Sequence, residues 1–418
     1  MTFAELGLSK PITEAITKLG YSQPTPIQEQ SIPAILLHQD LLAAAQTGTG
    51  KTAAFVLPIL EKLRQQTPCQ SKEIKALIVT PTRELAAQID ANVQDYATHL
   101  KLRHHVIFGG VNSKPQFKAL LSGCEILTAT LGRLLDLYQQ GAIDFSKLQI
   151  LVLDEADRML DMGFIHDIKR LLKLLPKQRQ TLLFSATFSK DIRQLAQQFL
   201  NKPSEINANP ENQTARQVEQ FYTLVDYEQK TDLLKQLIRQ FQWQQVLVFT
   251  RTKHGANRLT QKLERAKIKA AAIHGNKSQN ARVKALAGFK SGEIDILVAT
   301  DIAARGLDIK QLPQIVNFDL PNVAEDYVHR IGRTGRAGES GSAYSLVSED
   351  QVEQLQAIET FIKERLNHLE VEGFKASFAR PKSSHKTTSA RHPRQGRNNS
   401  TPRRPRQSRF AHRKNEQA

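Results

Sequence analysis

Short, nearly continuous apolar runs alternate with amphipathic segments along most of this chain. The runs of the first half are Leu41–Ala44, Ala76–Thr80, Glu125–Thr130, Ile150–Leu153 and Thr181–Phe184. Apolar runs of this kind, without polar alternation, predict strands that are buried on both faces. Because amphipathic helical patterns separate the runs, we predict a parallel sheet between layers of helices.

A second series of the same kind follows. Its predicted strands are Val246–Thr250, Ala271–His274 and Ile296–Thr300. The last of these ends in Leu-Val-Ala-Thr, which is similar to the Leu-Thr-Ala-Thr of residues 127–130. This similarity hints at a duplicated unit, although only the first half carries a glycine-rich loop.

Polar and proline-containing stretches divide the chain into domains. Between the two series lies a polar segment with Pro203 and Pro210, where we place an interdomain linker. A helix predicted from Asp350 to about His368 ends the second series. The predicted organisation is an α/β domain at 1–207, a linker at 208–216, an α/β domain at 217–368 and a tail at 369–418.

Positive charge is concentrated in the tail. The net charge of the chain is +17, and residues 375–418 hold thirteen Lys or Arg against one acid, Glu416. This segment is rich in Arg, Pro, Ser, Asn and Gln and offers too little apolar surface to fold, so we predict a disordered basic tail. Such a tail favours a polyanionic partner.

The remaining composition argues for an ordinary reduced, water-soluble protein. Cys69 and Cys124 have no spacing typical of a zinc or redox site, so we expect two reduced thiols. The N-terminus lacks the basic start and apolar core of a secretory signal. No apolar run approaches the ~18 residues that a membrane-spanning helix needs. We therefore expect a cytoplasmic monomer without membrane contacts.

The glycine-rich loop is Ala45-Gln46-Thr47-Gly48-Thr49-Gly50-Lys51-Thr52, between the first predicted strand and a helical pattern. A tight glycine turn in this position points backbone N–H groups and a helix N-terminus at a phosphate. The order predicts an ATP-binding loop in which Lys51 reaches the β- and γ-phosphates and Thr52 holds Mg²⁺. Ala45 replaces the glycine that usually opens this motif, and the alternative is a flexible loop without a ligand.

Two acidic residues follow the strand Ile150–Leu153. The C-terminal ends of parallel strands face the ligand crevice of such sheets, which places Asp154 and Glu155 near the phosphate loop. We expect Asp154 to hold Mg²⁺ through water and Glu155 to orient and deprotonate the attacking water. An isolated Asp-Glu pair is more often a helix cap, but Lys51 favours the catalytic interpretation.

Gln28 is a candidate for base recognition. It lies in the turn-rich segment Gly20-Tyr21-Ser22-Gln23-Pro24-Thr25-Pro26-Ile27-Gln28, just before an amphipathic helix. A glutamine amide offers a donor and an acceptor, which matches the N6 and N7 edge of adenine. Taken alone, this signal is weak, because most such glutamines are solvated.

Taken together, these motifs resemble those of the DEAD-box ATP-dependent RNA helicases of superfamily 2, and most closely those of their bacterial RhlE-like branch. The resemblance extends from Phe3 to about residue 368 and implies two tandem RecA-like domains. The segment ending at Gln28 resembles the Q motif, which implies adenine recognition by Gln28 and stacking of the base on Phe3. The segment from His329 to Arg336 resembles the arginine-finger motif, which implies that Arg333 and Arg336 reach the γ-phosphate.

The resemblance also assigns RNA contacts and coupling residues. The implied RNA contacts are Pro81, Thr82, Arg83, Gly109, Gly110, Thr130, Gly132 and Arg133 in the first domain, and Arg251, Arg282 and Thr300 in the second. The implied coupling residues are Asp157, Ser185, Thr187 and His329, and Asp308 is placed near the ribose. Several RNA contacts are small residues or Thr, which suit phosphate and ribose, so we expect little sequence specificity and a preference for RNA through its 2′-OH.

The function that these residues favour is RNA-stimulated ATP hydrolysis coupled to local, non-processive unwinding or remodelling of short RNA duplexes. One alternative is an ATP-gated RNA clamp or assembly platform, which needs the same closed state. Another is an RNA-annealing protein driven by the tail without ATP, and a DNA helicase of the same superfamily is a third. The expected partners are single-stranded and short duplex RNA, and ribosomal or RNA-decay assemblies.

Leu131 departs from the family pattern, which has proline there. Thr130 is predicted to cap a helix that begins at position 131, where the fixed φ of proline is pre-organised. We predict that Leu131→Pro raises RNA affinity or the unwinding rate, because the local bend becomes more rigid. Equilibrium RNA binding and a duplex-release assay measure this, and unchanged values in both would remove the argument.

Overall fold

Two parallel sheets flanked by helices make up the part of the chain that the structure describes. The computed structural model describes residues 1–45, 48–208, 218–304, 307, 309, 312–334 and 341–380. Residues 1–379 form one compact unit. Each sheet has seven strands in this described part, and every strand pair is parallel.

The first sheet and its helices occupy the N-terminal half. Its strands are β1 (Leu41–Ala44), β2 (Ile74–Thr80), β3 (His104–Ile107), β4 (Cys124–Thr130), β5 (Ile150–Leu153), β6 (Gln180–Ser185) and β7 (Ser204–Asn207). Its helices are α1 (Lys10–Lys18), α2 (Pro26–Leu36), α3 (Lys51–Leu63), α4 (Arg83–Tyr96), α5 (Ser113–Leu120), α6 (Leu131–Gln139), α7 (Ala156–Asp161), α8 (Ile165–Leu174) and α9 (Lys190–Phe199).

The second sheet follows in the same manner. Its strands are β8 (Val218–Leu224), β9 (Val246–Phe249), β10 (Ala270–Ile273), β11 (Ile296–Ala299), β12 (Gln314–Asn317), β13 (Gly341–Val347) and β14 (Asn367–His368). Its helices are α10 (Lys230–Gln240), α11 (Lys253–Arg265), α12 (Gln279–Lys290), α13 (Asp301–Ala304), α14 (Ala324–Ile331) and α15 (Val352–Ile362).

The two sheets have the same strand order. The first runs β3-β4-β2-β5-β6-β1-β7 and the second β10-β11-β9-β12-β13-β8-β14, so each strand of the second sheet corresponds to the strand seven earlier. The similar endings at residues 127–130 and 297–300 belong to the corresponding strands β4 and β11. The predicted duplication and the α/β class with tandem parallel-sheet domains are therefore confirmed.

The central strands are buried because helices cover both of their faces. Every residue of β1, β2, β5, β6 and β9 is buried. Two apolar clusters lie on the two sides of the first sheet, with alternate strand residues such as Leu41 and Leu42 in different clusters. This explains why the central strands were recognisable as unbroken apolar runs.

Several elements differ from the sequence-based expectation. Strands β3, β7, β8, β12, β13 and β14 were not predicted, since most of them carry polar residues or lie towards the sheet edges. The predicted helix from Asp350 to His368 is shorter. It ends at Ile362 because Lys363 adopts a left-handed conformation, with φ of 58°.

The chain beyond His368 does not leave the second domain at once. Leu369 and Phe374 pack against the apolar cluster under the second sheet, and Phe378 packs against a neighbouring cluster. The Leu369 amide donates to the Tyr222 carbonyl, and Asp226 accepts two hydrogen bonds from Ser377. We place the start of the predicted tail after these residues, because their apolar side chains have a surface to bury. The rest of the tail, and the predicted linker apart from Ala208, lie outside the described residues.

No helix in the described part of the chain is long and apolar enough to cross a bilayer. Cys69 and Cys124 are buried free thiols. Burial raises the pKa of Cys69 to about 11, with a further contribution from the Glu125 carboxylate. That environment disfavours the thiolate, as expected for an unreactive structural cysteine.

Gly123 forms a turn that only glycine fits. Its φ is +69°, and an added Cβ would meet the Gln70 carbonyl oxygen. We predict that Gly123→Ala lowers the free energy of unfolding by about 3 kcal/mol, from left-handed strain and the clash together. Denaturant unfolding of the variant and the wild type measures this loss of free energy.

The matched control is Gly141→Ala, with φ of +72° and open space around the added Cβ. It carries only the backbone strain, about 1 kcal/mol. Equal losses in the two variants would contradict the role given to the Gln70 carbonyl.

Candidate nucleotide and RNA site

The phosphate loop sits between β1 and α3, as predicted. Gly48 and Gly50 have φ of +86° and +93°, which side chains other than glycine rarely adopt. Lys51 is the first residue of α3 and is buried, 7% exposed. The loop therefore brings a buried ammonium to the N-terminus of a helix, where an anion is stabilised. Gln46 and Thr47 lie outside the described residues.

Gln28 braces this loop from the side. Its Oε1 accepts from the Thr25 amide at 2.9 Å, and its Nε2 donates to the Gly50 carbonyl at 3.1 Å. The Thr25 hydroxyl donates to the Thr49 carbonyl at 2.8 Å. Gln28 is also almost fully buried, with its amide on the phosphate loop; adenine recognition by Gln28 stays a prediction.

Phe3 belongs to the core of the first domain. It is 5% exposed, and its ring meets Tyr21 edge-on with 6.3 Å between centroids. Tyr21 in turn shares a 2.7 Å hydrogen bond with the Tyr96 hydroxyl. The structure therefore shows Phe3 supporting the segment that leads to Gln28; stacking on a base stays a prediction.

The two acids follow β5 directly. Asp154 is 3% exposed, and burial raises the pKa of its carboxyl to about 6, although the nearby Lys51 ammonium acts to lower it. Glu155 has φ of +50°, an unusual conformation for a residue other than glycine. Strained backbone of this kind is common at functional sites, and Glu155 occupies the N-cap position of α7 without a side-chain capping hydrogen bond.

The oxygens of Asp154, Glu155 and Thr52 suit the binding of a divalent cation together with a nucleotide. Glu155 Oε2 is buried and has no hydrogen-bond partner among the described residues, so an acceptor is left for a donor from outside the chain. The Asp154 Oδ1 accepts from the Glu155 amide, which fixes the carboxylate. Carboxylate and hydroxyl oxygens are the ligands that Mg²⁺ prefers, as Asp154 and Thr52 offer.

The acidic segment is joined to the end of β6. Asp157 Oδ2 accepts from the Ala186 amide at 3.0 Å, and Ser185 Oγ accepts from the Thr187 amide at 3.3 Å. Ser185 is fully buried. A direct hydrogen bond therefore joins the acidic segment to residues 185–187.

A candidate RNA face forms beside α4 and α6. Thr82 caps α4, its hydroxyl accepting from the Leu85 amide at 3.3 Å. The Arg83 guanidinium lies over Gly110, so closely that a Cβ there would collide with it. Arg133 donates to the Val111 carbonyl at 3.0 Å. The structure thus brings the predicted contacts Thr82, Arg83, Gly110 and Arg133 together around one loop.

The other predicted RNA contacts of the first domain lie beside these residues. Pro81 is buried ahead of Thr82, Gly109 precedes Gly110, and Gly132 has open space around it. Thr130 immediately precedes α6, which begins at Leu131 as predicted. Leu131 itself is 2% exposed and packs in the core, so Leu131→Pro also removes a buried side chain.

In the second domain, Arg251 is held by an acidic residue after β12. Its amide donates to Asp319 Oδ2 at 2.9 Å, and its exposed guanidinium lies 3.8 Å from Asp350. Asp319 is also 3.8 Å from the ammonium of Lys230, which is fully buried and donates to the Phe318 carbonyl. Burial lowers the pKa of Lys230 to about 8, while Asp319 and Asp350 act to raise it. Sequence reasoning missed Lys230, since a single lysine at a helix start gives no signal.

Arg330 is a second residue that sequence reasoning left without a role. Its guanidinium is buried and bonds both carboxylate oxygens of Asp301, at 2.6 and 2.7 Å. It also donates to Asn317 Oδ1 and the Asp319 carbonyl, and lies over the Phe249 ring. Arg330 therefore ties α14 to the ends of the neighbouring strands.

The arginine-finger segment is partly described. Arg333 is 7% exposed and donates to the Leu307 carbonyl at 3.0 Å. His329 is half-buried on α14, and Thr300 is half-buried after β11. Arg336 and Asp308 lie outside the described residues.

Polar contacts at Glu84 cross between the two domains. Arg282 on α12 forms a 2.8 Å ion pair with Glu84 on α4, and Gln279 donates to the same carboxylate at 3.0 Å. Both ion-pair side chains are 9% exposed. The Arg282 guanidinium pairs with Glu84, next to the RNA candidate Arg83, and its contact with RNA stays a prediction.

Comparison with known families decides the assignment. The DEAD/DEAH box helicase family matches residues 25–195, and the helicase conserved C-terminal domain family matches residues 229–338. The chain belongs to the DEAD-box ATP-dependent RNA helicases.

DEAD-box relatives match nearly the whole chain. The ATP-dependent RNA helicase CshA of Streptococcus pneumoniae is 42% identical over 378 residues, covering 90% of this chain and 71% of the relative. RhlB of Pseudomonas putida is 42% identical over 370 residues, covering 87% and 93%.

Solved DEAD-box structures show the same tandem RecA-like architecture. Dbp5 of S. cerevisiae, bound to RNA and ADP BeF3, has a TM-score of 0.78 and 31% identity, covering 88% of this chain and 95% of that one. Mss116p bound to single-stranded RNA and AMP-PNP has a TM-score of 0.78 and 28% identity, covering 88% and 79%. The RecA-like fold predicted from the motifs is confirmed.

Gly110 and Gly109 offer a matched test of the RNA face. We predict that Gly110→Ala weakens RNA binding at least tenfold, about 1.4 kcal/mol, because its Cβ displaces the Arg83 guanidinium. Gly109→Ala, whose added Cβ would lie 4.0 Å from Arg83, is the control. Fluorescence anisotropy with single-stranded RNA measures both. Equal affinities in the two variants would show that the position of Arg83 is unimportant.

Proposed function

We propose that ATP and single-stranded RNA together hold the two domains closed, that the bound strand is bent so that its partner is lost, and that hydrolysis releases the RNA. This cycle is local and non-processive, because each closure opens only the duplex at the site. The interdomain ion pair between Glu84 and Arg282 carries the proposal. Glu84, which contacts the second domain, lies in the same turn of α4 as the RNA candidate Arg83.

That arrangement supports coupling between RNA and closure. Thr82, Arg83 and Glu84 are consecutive at the start of α4. An RNA phosphate on Thr82 and Arg83 fixes this turn, and a fixed turn holds the Glu84 carboxylate against Arg282 and Gln279. By linkage, closure through Glu84 strengthens RNA binding by the same free energy.

The chemistry follows from the first-domain site. Lys51 binds the β- and γ-phosphates, and Glu155 accepts a proton from the attacking water with the oxygen that has no partner in the chain. Thr52, and Asp154 through water, would hold Mg²⁺, which would neutralise negative charge on the phosphates. Arg333 and Arg336 bring positive charge from the second domain, worth ~10³ to 10⁵ in rate for arginine fingers.

The segment from Asp154 to Asp157 responds to the loss of the γ-phosphate. Asp157 connects it to the Ala186 amide, and Ser185 and Thr187 follow. In the second domain, His329 lies one residue before the buried Arg330. We assign these four residues, Asp157, Ser185, Thr187 and His329, to coupling hydrolysis with RNA release.

The wider setting follows the same assignment. We propose a cytoplasmic monomer whose substrates are single-stranded and short duplex RNA, with ribosomal or RNA-decay assemblies as its setting. Support comes from the bacterial relatives, which are named as RNA helicases. The basic tail then tethers RNA without sequence preference and in a salt-sensitive manner.

Steady-state ATP hydrolysis with and without single-stranded RNA tests the function. We predict that RNA stimulates the wild-type chain and that Glu155→Gln lowers kcat by ~10² to 10⁴, since the general base is lost while the shape is kept. The variant should still bind RNA in the presence of ATP.

DNA of the same sequence is the control and should stimulate little, because it lacks the 2′-OH. Turnover that ignores RNA would overturn the coupling. Strand annealing that Glu155→Gln leaves unchanged and that needs no ATP would favour the tail-driven alternative.

A further inference from the structure

Outside the tail, a strong excess of positive charge lies in one stretch of the second domain. Residues 251–290 contain eleven Lys or Arg and one acid, Glu264, a net charge of +10. Residues 1–374 together carry only +5, so the rest of that span is negative by 5. The stretch runs from Arg251 through α11 and β10 to the end of α12.

Helix α11 presents this charge to solvent as a line. Its buried residues are Ala256, Leu259, Thr260 and Leu263. The opposite side carries Arg258, Lys262 and Arg265, all exposed, at the i, i+4, i+7 spacing of one helical face. With a rise of 1.5 Å per residue, the three cations extend over about 10 Å.

These cations are not used inside the protein. No hydrogen bond or ion pair joins the side chain of Arg258, Lys262 or Arg265 to another residue of the described part. Lys262 and Arg265 also complement the C-terminal end of the helix dipole. Arg258 lies in the middle of the helix and has no such role, so the line needs another explanation.

The line starts at the candidate RNA site. Arg251 directly precedes Thr252, which caps α11 by accepting from the Gly255 amide at 2.9 Å. Lys253 at the first turn donates to Asn276, which joins the segment after β10 to the same surface. The positive stretch therefore begins two residues after the end of β9 and continues into α11.

We propose that the outer face of α11, formed by Arg258, Lys262 and Arg265, binds the phosphate backbone of RNA that continues beyond the cleft. This inference rests on the proposed RNA binding at Arg251 and extends it to a second segment of the same RNA. Phosphate is the partner that fits, since the face offers three exposed cations that pair with no group in the described part of the chain. Contacts of this kind carry no sequence information and add affinity that falls with salt.

The test uses the full chain with Arg258→Gln, Lys262→Gln and Arg265→Gln combined. The control combines Lys169→Gln, Arg170→Gln and Lys173→Gln, which removes three exposed cations from α8 of the first domain. These three side chains also form no hydrogen bond or ion pair within the described part of the chain. Both variants lower the net charge by the same amount. RNA affinity is measured by anisotropy across a salt series, with a short single strand that fills only the cleft and a much longer one.

We expect the α11 variant to lose the extra affinity of the long strand. The slope of log affinity against log salt should fall in magnitude by about 2, since each phosphate contact on a single strand contributes ~0.7. Affinity for the short strand, and ATP turnover at saturating short RNA, should stay at the wild-type level. The α8 variant should match the wild type throughout.

Two results would overturn the proposal. An unchanged salt slope in the α11 variant would show that the face does not bind RNA phosphates and would favour another partner, such as an acidic protein. An equal change in both variants would mean that only net charge matters. Failure of the proposed function is separable, because it would show as missing RNA stimulation in the wild-type protein itself.

Discussion

Parallel strand pairing is the constraint on which the site depends. Because every pair in both sheets is parallel, the C-terminal ends of the strands in each sheet lie along one edge. The phosphate loop follows β1, the acids follow β5, and Ser185 ends β6. In the second sheet, Arg251 comes just after β9 and Asp319 just after β12. Strand pairing thus collects residues that are far apart in sequence along one edge of each sheet.

The same constraint explains what could be predicted. Central strands such as β5 are buried on both faces and read as unbroken apolar runs, and the phosphate loop at Lys51 has a fixed local sequence. Edge strands such as β7 and β14 carry polar residues, so their pattern resembles a loop. Their positions follow from pairing with β1 and β8, which is a property of the whole sheet and not of their own residues.

Side-chain partners were the least predictable part of the site. The motif spacing located Gln28 and Arg282, but their partners lie far along the chain: the Gly50 carbonyl for Gln28 and the Glu84 carboxylate for Arg282. Lys230 could not be identified from the sequence, because its contact with Asp319 depends on the burial of its ammonium in the folded domain. A sequence motif specifies which groups are present, whereas the direction in which each one points depends on packing across the domain.

The chain that follows α15 covers part of the outer edge of β8. β8 is seven residues long and would have a free row of backbone groups if the chain stopped before Asn367. Instead β14 pairs with Phe221 and Tyr222, and Thr223 bonds the Leu369 carbonyl. An uncovered strand of that length is a template for intermolecular β-pairing and aggregation. β14 covers part of this edge, and loss of residues 367–379 would expose it and favour oligomers joined through their sheet edges.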